Sequence, residues 1–223
     1  MSGIKAVIFD LDGVLIDSEQ AWDGARREVA GALGGHWRAD ATRKMMGMSS
    51  GEWSRYMHNE LGLPESPSEI SRLVVARLRA LYSDSLPLMP GAGAAVRQIA
   101  SRWPLGLASS SNRELIDLVL KLARLEDKFL VTISSEEVNR GKPSPDVYLE
   151  ASRRLGVDPA WAAAVEDSAN GIRAGKAAGM PVIAIPNRAL PPEPEALALA
   201  DRVIDSLSQL SAGLIESLAA DCV

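Results

Sequence analysis

The sequence predicts an α/β protein with a Rossmann-like, three-layer core around a parallel sheet and an inserted all-helical domain. Three observations support this prediction. The chain opens on an apolar run at 4–8 that ends abruptly in two acids and a glycine, as a buried strand does where it emerges into a site. Residues 16–86 then show helical periodicity and no strand pattern. From residue 87 onward, short apolar runs alternate with helix-length segments, which is typical of βαβ units and a parallel sheet.

The elements of the core follow from this alternation. Predicted strands are the runs at 4–8, 105–108, 129–133, 162–165 and 181–185, with an edge strand at 202–204. Predicted helices lie at 92–102, 113–122, 145–155, 169–178 and about 208–219. Pro145 suits the first turn of its helix and Gly179 ends the next one. The Pro-rich segment 191–194 is predicted as a loop.

The inserted segment begins with a helix. Asp17 or Ser18 is a suitable N-cap, and the helix is predicted to run to about Leu33, where Gly34 and Gly35 end it. Further breaks occur at glycines and prolines, up to the change of pattern near Pro87. We therefore expect a core formed by residues 1–15 and 87–223 and a helical domain formed by residues 16–86.

The composition narrows the class of protein. The chain has 223 residues, of which 47% are hydrophobic and 24% charged, with a net charge of −5. No basic cluster is present, which argues against nucleic acid as a partner. No run approaches the length of a membrane span, so no membrane association is expected. The single cysteine, Cys222, allows no intrachain disulfide and is a poor candidate for a catalytic thiol; a cytoplasmic location is the simplest interpretation.

Two carboxylates end the first strand, in the segment Phe9-Asp10-Leu11-Asp12-Gly13. Carboxylates two residues apart repel each other unless a cation or a shared proton relieves them. Mg²⁺ is the natural cation, because it accepts one or two carboxylates and keeps the rest of its shell for water and phosphate oxygens. The alternative is that Asp10 and Asp12 only shape a turn or cap a helix.

Polar groups follow three more of the predicted strands. Ser109, Ser110 and Ser111 follow the second strand, Lys142 lies in the segment after the third, and Glu166 and Asp167 follow the fourth. The carboxyl ends of parallel strands share one edge of a sheet, where ligands bind. Each group has a structural alternative: the serines as helix caps, the lysine as a solvated loop residue, the two acids as first-turn residues favoured by the helix dipole.

Such a set of groups suits phosphoryl transfer. Asp10 would attack phosphorus and form an aspartyl-phosphate, while Asp12 would protonate the leaving alkoxide and later deprotonate the attacking water. Lys142, the Ser109 hydroxyl and backbone N–H groups near Ser110 would bind the phosphoryl oxygens. Mg²⁺ would be held by Asp10, the backbone carbonyl of Asp12 and Asp167, with Glu166 acting through water.

The segment DLDGVLIDS resembles the first motif, DxDGxLxDS, of the haloacid dehalogenase-like hydrolase superfamily. Ser109, Lys142 in GKPSPD, and the acid pair in VEDSANGI resemble the remaining three motifs, in order. The resemblance covers essentially the whole chain. It implies that the helical insert is the cap domain of the β-phosphoglucomutase and phosphoglycolate phosphatase branch.

Departures from the sub-patterns of this superfamily favour one activity. The second acid, Asp12, is absent from the dehalogenases, so transfer to phosphorus is favoured over attack on carbon. Sugar phosphomutases of the β-phosphoglucomutase type have a histidine where this chain has Trp22 and an arginine in the loop at 47–52, where this chain has none. That arginine would hold a second phosphate; Arg43, Arg55, Arg77 or Arg79 remain as substitutes. We therefore predict a Mg²⁺-dependent phosphatase acting on a small phosphorylated metabolite, as a monomer or weak dimer, with the mutase as the alternative.

Overall fold

The computed structural model describes residues 3–187 and 191–218. At its centre is a sheet of six parallel strands. The strands are β1 (Ala6–Phe9), β2 (Leu105–Ser109), β3 (Phe129–Ser134), β4 (Ala162–Glu166), β5 (Val182–Ala184) and β6 (Arg202–Val203). The helices are α1 (Glu19–Ala32), α2 (Ala41–Met45), α3 (Ser50–Glu60), α4 (Pro67–Asp84), α5 (Ala92–Ala100), α6 (Arg113–Ala123), α7 (Asp146–Leu155), α8 (Ala169–Ala177), α9 (Pro194–Leu197) and α10 (Ala212–Ser217).

The strand order is β3-β2-β1-β4-β5-β6, which is the doubly wound order of the Rossmann fold. The chain reverses its direction of travel across the sheet at β1, since β2 and β4 pair with β1 on opposite sides. The carboxyl end of β1 therefore lies at the topological switch point, where such sheets bind ligands. The predicted fold class, a Rossmann-like α/β core, is confirmed.

Alternate residues of each strand face opposite sides of the sheet, and each side has its own core. In β1, Ala6 and Ile8 belong to one hydrophobic cluster, and Val7 and Phe9 belong to the other. The first cluster includes Tyr148 of α7. Because both faces are covered, the central strands have apolar residues at successive positions instead of an alternating pattern.

Five helices, α1 to α5, lie between β1 and β2, and the first four form the helical insert. Local signals account for their boundaries: Ser49 and Glu52 form a capping box at α3, and Ser66 accepts a hydrogen bond from the Glu69 amide at the start of α4. Apolar side chains of these helices, including Trp53, join the cluster on one face of the sheet. The helical insert and the sheet thus share one continuous hydrophobic core.

The observed boundaries differ from the predicted ones mainly at the ends of the chain. Pro194 begins the short helix α9, where the sequence predicted only a loop; proline suits a first turn. The predicted last helix is divided into a 3₁₀ turn at Leu207–Gln209 and α10. Its predicted end at Ala219, like Cys222, lies outside the described residues. Within the described part of the chain, every helix is too short or too polar to cross a membrane.

Candidate active site

The ends of three neighbouring strands bring the candidate residues together. Asp10 directly follows β1, Ser109 is the last residue of β2, and Glu166 is the last residue of β4. The amide of Asp10 donates to the carbonyl of Val165 at 2.9 Å, so the pairing of β1 with β4 extends to the site. The sequence prediction that these strand ends share one edge agrees with this parallel pairing.

Lys142 connects all three of these strand ends. Its ammonium group donates to Asp10 Oδ1 at 2.6 Å, to Glu166 Oε1 at 2.5 Å and to the carbonyl of Ala108 at 3.0 Å. All three N–H bonds of the lysine are therefore used. The side chain is 4% exposed, which excludes the interpretation of Lys142 as a solvated loop lysine.

Glu166 is fully buried and is held by more donors than any sequence pattern indicated. Its Oε1 also accepts from the hydroxyl of Tyr148 at 2.6 Å, and its Oε2 accepts from the amide of Asp167 at 3.1 Å. Gly171 makes room for this carboxylate, because a Cβ at that position would lie 1.9 Å from its Cδ. The carboxylate of Glu166 is therefore fixed in position.

The cluster of acids is short of positive charge. Burial raises the pKa of Asp10 to about 8; Lys142 opposes this rise, and the neighbouring acids add to it. Burial, followed by repulsion from Glu166 and Asp10, raises the pKa of Asp167 well above its usual range. Burial disfavours the ammonium of Lys142, but the two carboxylates beside it outweigh that effect and raise its pKa.

This donor set fits a magnesium ion. Oxygen atoms of Asp10, Glu166 and Asp167 all lie within 4.8 Å of one another, which is close enough to share one cation. A cation would relieve the repulsion that a single ammonium leaves uncompensated. Gly13, at φ +77°, allows the carboxylate of Asp167 to approach the backbone, since a Cβ there would lie 1.8 Å from Asp167 Oδ2.

Asp12 is held by groups from both the sheet and the inserted helices. Its Oδ1 accepts from the indole Nε1 of Trp22 at 2.9 Å, and its Oδ2 accepts from the hydroxyl of Ser111 at 2.6 Å. Ser109 Oγ lies farther off, at 3.4 Å from Oδ2. Trp22, the residue at the position of the mutase histidine, is thus linked directly to the second acid of the first motif.

The three consecutive serines at the end of β2 take different positions. Ser109 is fully buried, and its hydroxyl accepts a hydrogen bond from the amide of Ser111. Ser110 and Ser111 line the cavity above the acids, whereas Ser109 is not part of its wall. The buried hydroxyl of Ser110 has no hydrogen-bond partner among the described residues. Asn112, and not a serine, occupies the N-cap position of α6.

A cavity of about 580 Å³ lies above these residues, between the sheet edge and the helical insert. The core contributes Asp10, Asp12, Lys142 and Asp167 to its wall. The insert contributes chiefly one face of α1, the segment 42–48 and Trp53.

Arg26 of α1, a buried arginine that the sequence interpretation missed, also lines the cavity and is 7% exposed. Of the four arginines named as substitutes for the mutase arginine, Arg43 lines the cavity from an exposed position. Arg77 pairs with Glu28 and Arg79 pairs with Glu114, both on the surface. The sequence could have indicated Arg26 through its spacing, because it lies one helical turn after Trp22 and therefore on the same face of the helix. Tyr148 gave no such signal.

Comparisons with known proteins agree with this geometry. Residues 4–179 match the haloacid dehalogenase-like hydrolase family. Hexitol phosphatase B of Escherichia coli K12 is 37% identical over 219 residues, which cover 94% of this chain and 95% of that protein. The predicted enzyme class, a phosphatase, is confirmed.

Two solved structures share the whole fold. CbbY of Rhodobacter sphaeroides in complex with xylulose 1,5-bisphosphate has a TM-score of 0.84 at 29% identity, covering 96% of this chain and 99% of that chain. β-Phosphoglucomutase of Clostridium difficile has a TM-score of 0.84 at 24% identity, covering 98% of each chain, and at that identity it shows the fold alone. The chain therefore belongs to the haloacid dehalogenase-like hydrolase family, in the branch whose fold includes β-phosphoglucomutase and CbbY.

Proposed function

We propose that the protein is a Mg²⁺-dependent phosphomonoester hydrolase that acts on a small phosphorylated sugar or sugar alcohol through an aspartyl-phosphate. The observation that supports this most directly is the cluster of Asp10, Glu166 and Asp167 around the buried ammonium of Lys142. The substrate class follows the hexitol phosphatase to which the chain is similar.

In the first half-reaction, a carboxylate oxygen of Asp10 attacks phosphorus and the bond from phosphorus to the alcohol oxygen breaks. Lys142 binds Oδ1 of this carboxylate, which keeps the group oriented and favours its ionised form. Asp12 gives a proton to the departing alkoxide. The alcohol leaves, and the phosphoryl group remains on Asp10.

In the second half-reaction, Asp12 removes a proton from a water molecule that attacks the phosphorus. The bond to Asp10 breaks, and inorganic phosphate leaves. The contacts to Asp12 from Trp22 and Ser111 support this role, because they fix both of its carboxylate oxygens. Since Trp22 lies on the first helix of the insert, the position of the insert and the orientation of this acid are connected.

The phosphoryl oxygens carry most of the charge in such a transfer. We assign Lys142, Ser109 and Ser110 to the phosphoryl-binding site. The unpartnered hydroxyl of Ser110 on the cavity wall is the donor best placed to bind a phosphoryl oxygen. Lys142 acts through its positive charge, because its three N–H bonds already contact protein oxygens, and the buried Ser109 acts through its hydrogen bond with the Ser111 amide. Bound Mg²⁺ supplies electrostatic stabilisation of the same oxygens. Asp10, Asp167 and the backbone carbonyl of Asp12 would hold it, with Glu166 acting through water.

We further propose that residues 16–86 act as a cap over a catalytic core formed by residues 1–15 and 87–223. The cap would exclude bulk water and select the substrate. A cytoplasmic location, a monomeric or weakly dimeric state, and the absence of nucleic-acid and membrane partners remain predictions from composition.

The proposal is tested by following phosphate release from p-nitrophenyl phosphate with and without Mg²⁺. The wild-type protein should turn over only with the ion, and Asp10→Asn should lose turnover by more than about 10³-fold, since no other group in the proposed mechanism can accept the phosphoryl group. Wild-type turnover in Asp10→Asn would refute the assignment of the nucleophile.

The mutase remains the less favoured activity. Its histidine position is Trp22, whose indole is already bound to Asp12. Conversion of β-glucose 1-phosphate to glucose 6-phosphate faster than phosphate is released would reverse this order.

A further inference from the structure

Among the described residues, two cations are buried, Lys142 and Arg26, and both line the same cavity. The ammonium of Lys142 contacts two carboxylates and a carbonyl. In contrast, Arg26 forms no ion pair with any described residue, and its buried Nε has no hydrogen-bond partner. Burying a charge without a partner is costly, so such a group calls for a ligand.

The groups around Arg26 stabilise its positive charge but do not accept hydrogen bonds from its guanidinium. Its guanidinium lies 4.7 Å from the ring centre of Trp22 and 5.1 Å from that of Trp53. These indole faces favour a cation but accept no strong hydrogen bond. Burial lowers the pKa of Arg26 to about 10, with Asp12 and Glu19 opposing that effect, so the group stays protonated at neutral pH.

Glu19 lies on the same face of α1, seven residues before Arg26 and three before Trp22. It is half-buried on the cavity wall, and burial raises the pKa of its carboxyl, with Arg26 opposing. Both side chains line the cavity and their charges attract each other, yet they do not form an ion pair. Asp23, the other acid on this face, is already bound to Arg27 and Thr42.

A separated donor and acceptor are bridged best by groups that both donate and accept, which hydroxyls do. A second phosphate would meet Arg26 favourably but would be repelled by the carboxylate of Glu19, which forms no ion pair among the described residues. The indole of Trp22, between them along the helix, offers an apolar surface to the C–H face of a carbon chain.

We propose that Glu19, Trp22 and Arg26 form a hydroxyl-binding subsite that holds the carbon chain of a monophosphorylated sugar or sugar alcohol, with Arg26 donating and Glu19 accepting. This rests on the proposed phosphatase function and names the residues that select its substrate. It also gives α1 two tasks, since Trp22 holds Asp12 while its neighbours bind the substrate.

The test compares two six-carbon phosphomonoesters, glucitol 6-phosphate and n-hexyl phosphate, which differ in the hydroxyl groups of the chain. The wild-type protein should prefer glucitol 6-phosphate in kcat/KM. Arg26→Met, which keeps an apolar side chain between the two indoles, should reduce this preference by about tenfold or more, mainly through KM. Glu19→Gln should also reduce the preference for glucitol 6-phosphate. The preference of Arg26→Lys should lie between those of Arg26→Met and the wild-type protein.

Arg72→Gln is the matched control, because Arg72 is an exposed arginine of the insert that pairs with Glu69 outside the cavity. It should leave the preference unchanged. The proposal would be overturned if Arg26→Met left the ratio of the two kcat/KM values unchanged, whether or not both values fell. A wild-type preference for n-hexyl phosphate would also overturn it. A wild-type preference for fructose 1,6-bisphosphate over fructose 6-phosphate would also overturn it, since Arg26 would then receive a second phosphate. If the wild-type protein released phosphate from no ester, p-nitrophenyl phosphate included, the phosphatase proposal itself would fail.

Discussion

Tyr148 offers a direct test of the network beneath the acids. Its hydroxyl donates to Glu166 Oε1 at 2.6 Å, and both side chains are fully buried. Tyr148→Phe removes this donor and leaves the ring, so no cavity beyond the hydroxyl oxygen is created. The remaining contact of Oε1 with Lys142 keeps the carboxylate oxygen from losing every partner.

The expected cost follows from the charge of the acceptor. A hydrogen bond to a charged group contributes about 1.5–3 kcal/mol to the free energy of unfolding. For a chain of this length that corresponds to a fall in Tm of about 3–12 °C. Urea unfolding of the wild-type protein and the variant measures the difference. Since Tyr148 does not line the cavity, kcat on p-nitrophenyl phosphate should fall by less than about tenfold.

Tyr56→Phe is the matched control, because the buried hydroxyl of Tyr56 has no partner among the described residues. Removing it should change the free energy of unfolding by no more than about 0.5 kcal/mol. If Tyr148→Phe destabilised the protein no more than Tyr56→Phe, the argument that donors from α7 hold Glu166 would be refuted.

Three further predictions concern other parts of the site and its frame. Gly171→Ala should destabilise the protein by about 1–3 kcal/mol or more, because the added Cβ would overlap Glu166. Gly31→Ala, at an open position of α1, should instead stabilise the protein by about 0.5–1 kcal/mol. Thermal melting measures both changes, and equal effects of the two substitutions would contradict the packing argument. Partial burial would raise the pKa of Glu137, but the Ser134 amide and the Arg113 guanidinium outweigh that effect and lower the pKa. The stabilisation is therefore present at neutral pH and lost as the pH falls through the lowered pKa. Glu137→Gln should cost up to about 1 kcal/mol in urea unfolding at pH 7, and this cost should shrink as the pH is lowered; a cost that did not change with pH would exclude this cause. Mg²⁺ at about 100 times its Kd should stabilise the wild-type protein by about 2.7 kcal/mol, and removal of the ion by a chelator should reverse this gain. If Asp167→Asn kept the same gain in stability on adding Mg²⁺, Asp167 would not be one of the ligands.

Local pattern was sufficient for most of the fold. Apolar runs and turn residues predicted five of the six strands to within one residue at each end, and β1 to within two residues. Errors occurred where a local signal was ambiguous. A proline such as Pro194 is compatible with a loop and with the first turn of a helix. The apolar residues after Leu207 are compatible with one helix or with two short turns.

The sequence by itself determined which chemistry-bearing residues lie at strand ends, because parallel strands place every carboxyl end on one edge. Asp10 and Glu166 could be grouped on that ground alone, whereas Lys142 lies in a loop after β3 and was grouped with them by its motif as well. Only the tertiary structure decided what surrounds them. The hydroxyl of Tyr148, the indole of Trp22 and the unpaired guanidinium of Arg26 reach the site from helices, where a side chain's neighbours depend on how the helix packs and not on its own sequence. Periodicity identifies the buried face of a helix, but it does not distinguish a face that meets the core from one that meets a cavity.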